Sequence, residues 1–176
     1  AKASPWAIAI DETQRMAIEA DTTFGEERDD AGMKGLAAAR AIGLLSYRGP
    51  EGYNLTQQDR EEAPALHRAC TYQQYQGEKL CRRYNAYSYY AILDAFDTHD
   101  VGRGRGGEEA ALARISARTI VVGITTDIIF TPAEMRQLHS RIPRSSYYEI
   151  DSPFGHDGFL VEHEQLNGIL LPFMND

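Results

Sequence analysis

The chain has 176 residues, of which 43% are hydrophobic and 25% are charged, a balance typical of a soluble globular protein of one domain or of part of one. Its formal net charge of -8 argues against a nucleic-acid partner, because binding to a phosphate backbone needs a basic face. No apolar run approaches the roughly 18 residues that cross a bilayer, so we expect no membrane insertion.

The cysteines and the first residue give two further expectations. Cys70 and Cys81 are too few for a disulfide framework and lack the spacing of a metal site, so we expect a cytoplasmic protein without bound metal. The sequence begins with Ala1 rather than Met, and we expect it to be a piece of a longer polypeptide.

Most of the first hundred residues carry helical patterns. A helix rich in small residues contains Arg40, whose charge must either extend to water or meet an anion. A later helix is rich in tyrosine, which is typical of an interface. Apolar spacing and start signals predict helices over residues 6–20, 35–48, 63–80 and 82–96, with loops over 21–32 and 49–62.

Residues 98–107 (THDVGRGRGG) form a glycine-rich and locally basic stretch. Arg103 and Arg105 are able to meet phosphates, and glycine allows a close backbone approach to a ligand. The stretch lacks the lysine of a P-loop and follows no strand, however, which favours a boundary loop over a phosphate site.

Beyond this loop the pattern alternates between helix and strand, which is typical of an α/β fold with a parallel sheet. The predicted strands cover residues 119–124 and 147–150, and the predicted helices cover 108–115, 132–141 and 159–173, the last with Leu160, Leu166, Ile169, Leu170 and Phe173 on its inner face. Because two parallel strands leave edges and faces uncovered, we expect the sheet to need further strands. We therefore predict a helical region over 1–100 and an α/β region over 101–176.

Two loops at predicted strand ends carry the candidate catalytic residues. Asp127 follows the apolar strand in VVGITTDIIF, and His156 lies in SPFGHDGF after the next strand. This order of carboxylate and then histidine is the one that α/β-hydrolases use after their nucleophile, so we interpret the pair as catalytic acid and base. Taken alone, Asp127 is also suited to capping the next helix and could do both, and a histidine in such a loop is often a surface or structural residue.

The chain contains no serine in a G-x-S-x-G setting, the usual nucleophile elbow of this fold. Its serines are Ser4, Ser46, Ser88, Ser116, Ser140, Ser145, Ser146 and Ser152. The sequence therefore predicts an acid and a base without their nucleophile.

Several runs together resemble the C-terminal half of the homoserine O-acetyltransferase family of α/β-hydrolase-fold acyltransferases. The matching runs are ASPWAIAIDETQRMAI, GLAAARAIGLLSYR, TYQQYQGEKLCRRYNAYSYYAILDAFDTHDVGRGRGG, VVGITTDIIF and SPFGHDGFLVE. They cover nearly the whole chain, and their order and spacing make the resemblance specific. It implies acetyl transfer from acetyl-CoA to L-homoserine in methionine biosynthesis, with no bound cofactor.

The resemblance also implies roles for individual residues. Asp127 matches the triad acid and His156 the triad base, while Arg40 matches an arginine that contacts the amino-acid substrate and Asp157 its acidic counterpart. A homoserine zwitterion offers a carboxylate to Arg40 and an ammonium to Asp157. The nucleophilic serine would come from the N-terminal half of the same enzyme. The helices from about residue 11 to residue 96 resemble a lid that pairs two protomers.

Other functions stay open at this point. Related enzymes use succinyl donors, act on serine or acetylate deacetylcephalosporin C, and the quoted motifs do not separate them. A hydrolase on the same fold and a non-catalytic interaction module that has lost its nucleophile are the remaining alternatives.

Overall fold

Residues 1–60, 62 and 65–175 are described by the computed structural model. They group into two units. The helical unit consists of Lys2–Ser46 and Asn54–His99, and the α/β unit consists of Ala1, Tyr47–Tyr53 and Asp100–Asp176. Thus the short segment Tyr47–Tyr53 lies in the α/β unit, although it stands early in the chain.

Four of the first five helices were predicted from the sequence, although not all with the correct bounds. The five are α1 (Pro5–Glu19), α2 (Met33–Tyr47), α3 (Pro50–Gln57), α4 (Arg68–Cys81) and α5 (Ala86–Asp97). Ser4 caps α1 by accepting from the Ala7 N–H, as the start signal predicts. The prediction of a loop over residues 49–62 is wrong, because α3 forms there. Glycine, proline and asparagine suggested a turn, whereas Pro50 instead opens the helix at its first position, where its missing N–H costs nothing.

Two predicted helix starts were placed too early. The helix predicted over 63–80 begins at Arg68, and residues 63 and 64 lie outside the described residues. The helix predicted over 82–96 begins at Ala86, because the Asn85 side chain accepts from the Ser88 N–H and so caps the helix there.

Small residues allow the helices of the helical unit to pack closely. Ile18, Leu36, Ala39 and Ala86 are fully buried and form its core. At Gly35 an added Cβ would lie 2.6 Å from the Ile18 Cα, so α1 and α2 approach backbone to backbone at this point. Only glycine fits such a contact.

We therefore expect Gly35→Ala to destabilise the protein by at least about 1–3 kcal/mol, the usual cost of overpacking a filled core. Gly168→Ala is the matched control, because nothing lies within 4 Å of the position of its added Cβ. In a helix interior that change should stabilise by about 0.5–1 kcal/mol. Thermal unfolding of the two variants checks both signs; an unchanged midpoint for Gly35→Ala would contradict the close contact.

A charged cluster joins α1 to α5 within the helical unit. The Arg15 side chain is almost buried, and its Nη2 lies 2.7 Å from Asp97 Oδ2 while its Nε lies 2.8 Å from Glu12 Oε2. Burial, together with the neighbouring Asp97 carboxylate, raises the pKa of Asp11 to about 6. Asp11 is therefore protonated over part of the range in which an exposed aspartate is ionised.

The α/β unit contains the predicted parallel pair of strands. β1 (Thr119–Ile124) pairs with β2 (Ser145–Ile150) in parallel register, from Thr119 opposite Ser145 to Ile124 opposite Ile150. The connecting helix α7 (Pro132–Arg141) is capped by Thr131, whose hydroxyl accepts from the Glu134 N–H while Glu134 accepts from the Thr131 N–H. The α/β class predicted from the sequence is confirmed.

The remaining helices of this unit are α6 (Glu108–Leu112), a 3-10 helix (Gly155–Leu160) and α8 (His163–Asn175). Leu112, Val121 and Ile142 form the unit's core between β1 and the helices. The single helix predicted over 159–173 is wrong in its first turn, where the chain first closes the 3-10 helix. The described residues of α8 include no fully buried side chain. Of its predicted inner face, Leu166, Ile169 and Phe173 are half-buried, whereas Leu160 and Leu170 are exposed. Among the helices that the structure describes, none is both long enough and apolar enough to cross a membrane.

Candidate active site

Asp127 lies in the loop that follows β1 and is held there by the backbone. Its Oδ1 accepts hydrogen bonds from the N–H groups of Ile129 at 2.8 Å and Phe130 at 3.0 Å. Its side chain is only 4% exposed. The alternative role as a helix cap is not what the structure shows, because Thr131 caps α7. Asp127 instead fixes the turn before that helix through Oδ1, while its second oxygen, Oδ2, lies toward His156.

The loop after β2 is anchored to the loop after β1 by threonine hydroxyls. Thr126 Oγ1 donates to the Ser152 carbonyl at 2.6 Å and accepts from the Gly155 N–H at 2.9 Å. Thr125 Oγ1 accepts from the Ser152 N–H at 3.2 Å and donates to Asp151 Oδ1 at 2.9 Å. These hydrogen bonds fix the positions of the two loops relative to each other, although the bonded residues are 26 to 29 positions apart in sequence.

The two predicted catalytic side chains meet between these loops. His156 Nδ1 lies 2.8 Å from Asp127 Oδ2. Since a carboxylate accepts, Nδ1 carries the proton and donates it, which leaves the Nε2 lone pair available as a base. The rings of Phe130 and Phe159 lie edge-on to the imidazole, with centroids 5.3 and 5.4 Å away. The imidazole is therefore oriented by a buried carboxylate and flanked by apolar rings.

Asp157, the predicted partner of a substrate ammonium, forms an ion pair within the protein. Its Oδ2 lies 3.0 Å from Arg48 Nε. Sequence reasoning placed Arg48 at the end of a predicted helix and gave it no role. No local signal identifies it, because the contact joins positions about a hundred residues apart in the chain.

Arg40, the predicted ligand of a substrate carboxylate, belongs to the helical unit, where it lies half-buried on α2. Its role stays a prediction. In the glycine-rich loop, Arg105 Nη1 donates to the Val101 carbonyl at 2.9 Å, and Gly104, Gly106 and Gly107 have positive φ angles. These contacts are those of a tight turn, in keeping with a boundary loop.

Metal-binding chemistry has no evident place in the described part of the chain. Across residues 1–60, 62 and 65–175, no three His, Cys, Asp or Glu side chains converge in a way that would hold a metal ion. The expectation of a metal-free site stays a prediction.

Similarity to known proteins gives the family. No family model matches the chain. A homoserine O-acetyltransferase of Cyclobacterium marinum is 49% identical over 98% of this chain, which corresponds to 49% of that relative. A homoserine O-acetyltransferase of Thermus thermophilus is 42% identical over 99% of this chain and 44% of its own length.

The fold comparison agrees with the sequence comparison. The crystal structure of a homoserine O-acetyltransferase from Bacillus anthracis superposes with a TM-score of 0.85 at 17% identity, covering 99% of this chain and 51% of the other. At that identity the likeness shows the fold alone. The chain thus spans about half the length of the relatives it matches. The identities to these curated relatives, together with the shared fold, place the chain in the homoserine O-acetyltransferase family of α/β-hydrolase-fold proteins.

Proposed function

We propose that this chain supplies the catalytic acid and base of a homoserine O-acetyltransferase, which moves an acetyl group from acetyl-CoA to the hydroxyl of L-homoserine. The observation that carries the proposal is the hydrogen bond between His156 and the buried carboxylate of Asp127, in a chain 49% identical to such an enzyme. A triad needs this arrangement, in which one imidazole nitrogen is oriented and the other is free to take a proton.

The reaction proceeds in two half-reactions through an acyl-enzyme. His156 Nε2 takes the proton of a serine hydroxyl supplied by the remaining polypeptide, and that oxygen attacks the thioester carbonyl of acetyl-CoA. CoA leaves as a thiol with the proton from the imidazolium. The same nitrogen then takes the homoserine hydroxyl proton, the new alkoxide attacks the acyl-serine, and the serine regains its proton. Asp127 stabilises the imidazolium at each stage.

The acceptor would be held by its two charges. Arg40 is proposed to bind the carboxylate and Asp157 the ammonium, since charge-assisted hydrogen bonds of this kind orient a small zwitterion well. Because Arg48 lies at Oδ2 of Asp157, the ammonium would meet Oδ1.

The rest of the same polypeptide is the proposed partner that completes the sheet. In the described residues the sheet has two strands, β1 and β2, and parallel strands are normally buried on both faces. Exposed apolar side chains of α8, such as Leu171, would be covered in the same way. Pairing of two protomers through the helical region, a cytoplasmic location and a role in methionine biosynthesis complete the proposal.

The reaction assay uses the full-length protein with acetyl-CoA and homoserine. We expect O-acetylhomoserine and free CoA in equal amounts, with little acetate. Serine and succinyl-CoA, offered in parallel, should react at least about tenfold more slowly, the discrimination that one differing group in a site typically provides. Acetate release at the same rate with and without homoserine would show a hydrolase instead, and no CoA release with any acceptor would favour a non-catalytic module.

A further inference from the structure

The segment Tyr47–Tyr53 contacts the His156 loop through its backbone, inside the α/β unit. The Gly52 N–H donates to the Pro153 carbonyl at 3.0 Å. A Cβ added at Gly49 would lie 2.2 Å from the same carbonyl oxygen, and one added at Gly52 would lie 2.5 Å from Cδ1 of Phe154. These distances leave no room for a side chain at either glycine.

Gly155, on the histidine loop's side of the contact, is packed just as closely against Arg48 and Gly49. Gly155, directly before His156, has a φ of 65°, and a Cβ there would lie 2.4 Å from the Gly49 nitrogen and 2.7 Å from the Arg48 carbonyl carbon. Glycine is needed at this position both for the backbone conformation and for the space. Pro153, Phe154 and Gly155 of the histidine loop thus pack directly against residues 48–52.

One side-chain pair adds to this backbone contact. Arg48 Nε and Asp157 Oδ2 lie 3.0 Å apart, and their side chains are 27% and 17% exposed. The contact is an ion pair, since the Nε–H group is not aligned with the carboxylate as a hydrogen bond would require. Because both side chains are partly shielded from solvent, this pair is screened less than a fully exposed one and restrains its partners more. Asp157 directly follows His156 in the chain. Fixing the Asp157 carboxylate therefore restricts the backbone that carries the imidazole.

We infer that Arg48 is a positioning residue for His156, acting through Asp157 and the adjoining glycine contacts. This inference rests on the proposed function. It assigns to Asp157 a role in both half-reactions, because His156 is used in both. If Asp157 only bound the acceptor ammonium, its loss would slow only the second half-reaction, the transfer to homoserine.

The test compares Arg48→Gln with Arg48→Lys in the full-length enzyme. We expect Arg48→Gln to slow the single-turnover release of CoA, measured without homoserine, by about 10–100-fold, because catalysis falls about 100-fold for a misplacement of about 1 Å. The KM for acetyl-CoA should stay within about twofold, since the donor site is not altered. Arg48→Lys keeps a cation and should restore part of the rate.

The Arg141–Glu108 ion pair provides a matched control. It lies in the same unit, and its side chains are 26% and 21% exposed, close to the values for Arg48 and Asp157. Arg141→Gln should leave CoA release unchanged. The proton NMR signal of the His156 Nδ1–H bond, assigned by its loss in His156→Gln, should broaden or disappear in Arg48→Gln and persist in Arg141→Gln.

The possible outcomes separate this inference from the proposed function. Normal CoA release in His156→Gln would overturn the proposed function. If His156→Gln abolishes release while Arg48→Gln behaves like Arg141→Gln, the proposed function stands and the positioning role is wrong. A raised KM for homoserine with normal CoA release in Arg48→Gln would likewise overturn the positioning role, because it confines Asp157 to the acceptor.

Discussion

Replacing His156 with glutamine is expected to lower the rate of acyl-enzyme formation by about 10⁴- to 10⁶-fold, the range seen when the base of a serine triad is removed. Glutamine has a similar length and keeps a polar end near Asp127, but it cannot take a proton from serine. The loss should appear in the rate constants of both half-reactions. Rapid-quench measurement of CoA release and of the acetylated protein, made on the full-length enzyme, checks it.

His163→Gln is the control for this change. His163 is the first residue of α8, is exposed and lies in the same unit. The same chemical substitution there should leave acylation unaltered. A His156→Gln enzyme that formed the acyl intermediate at the normal rate would contradict its role as base, and equal losses in the two variants would point to a general effect on folding.

The contact between Asp127 and His156 was predictable from the sequence for a topological reason. The strand over 119–124 and the strand near 147–150 are joined by a helix, and such a unit places its strands side by side and parallel. Residues that follow the two strands must then meet at the same edge of the sheet. The bounds of β1 and α7 were also correct, because β-branched residues define the strand locally and Pro132 favours the first position of a helix.

The surroundings of the histidine were not predictable in the same way. Arg48 and the segment Tyr47–Tyr53 reach the loop across about a hundred residues of sequence, and helical periodicity carries no information about such a contact. Gly49, Gly52 and Gly155 read locally as turn residues, whereas the structure uses them for backbone contact. The 3-10 helix was missed because its apolar residues continue the pattern of α8.

Asp127→Asn is expected to lower kcat by about 10⁴-fold while leaving the fold intact. The two oxygens of Asp127 have separate tasks: Oδ1 accepts from the Ile129 and Phe130 N–H groups, and Oδ2 accepts from His156 Nδ1. An asparagine can keep its carbonyl oxygen on the two backbone donors. Its NH₂ group then faces His156, where it donates to Nδ1 and moves the imidazole proton to Nε2. The nitrogen that should take the serine proton is thereby occupied.

Two substitutions at position 127 separate the effect on chemistry from the effect on stability. Thermal unfolding of Asp127→Asn should stay near that of the parent, whereas Asp127→Ala, which also removes the acceptor for two backbone donors, should cost about 1–3 kcal/mol for each buried donor left without a partner. Asp151→Asn is the matched control, since Asp151 also follows a strand and accepts from Thr125. It should retain near-normal acylation. An Asp127→Asn enzyme with parent-like kcat would show that the carboxylate does not set the histidine tautomer, and the proposed acid role of Asp127 would then be wrong.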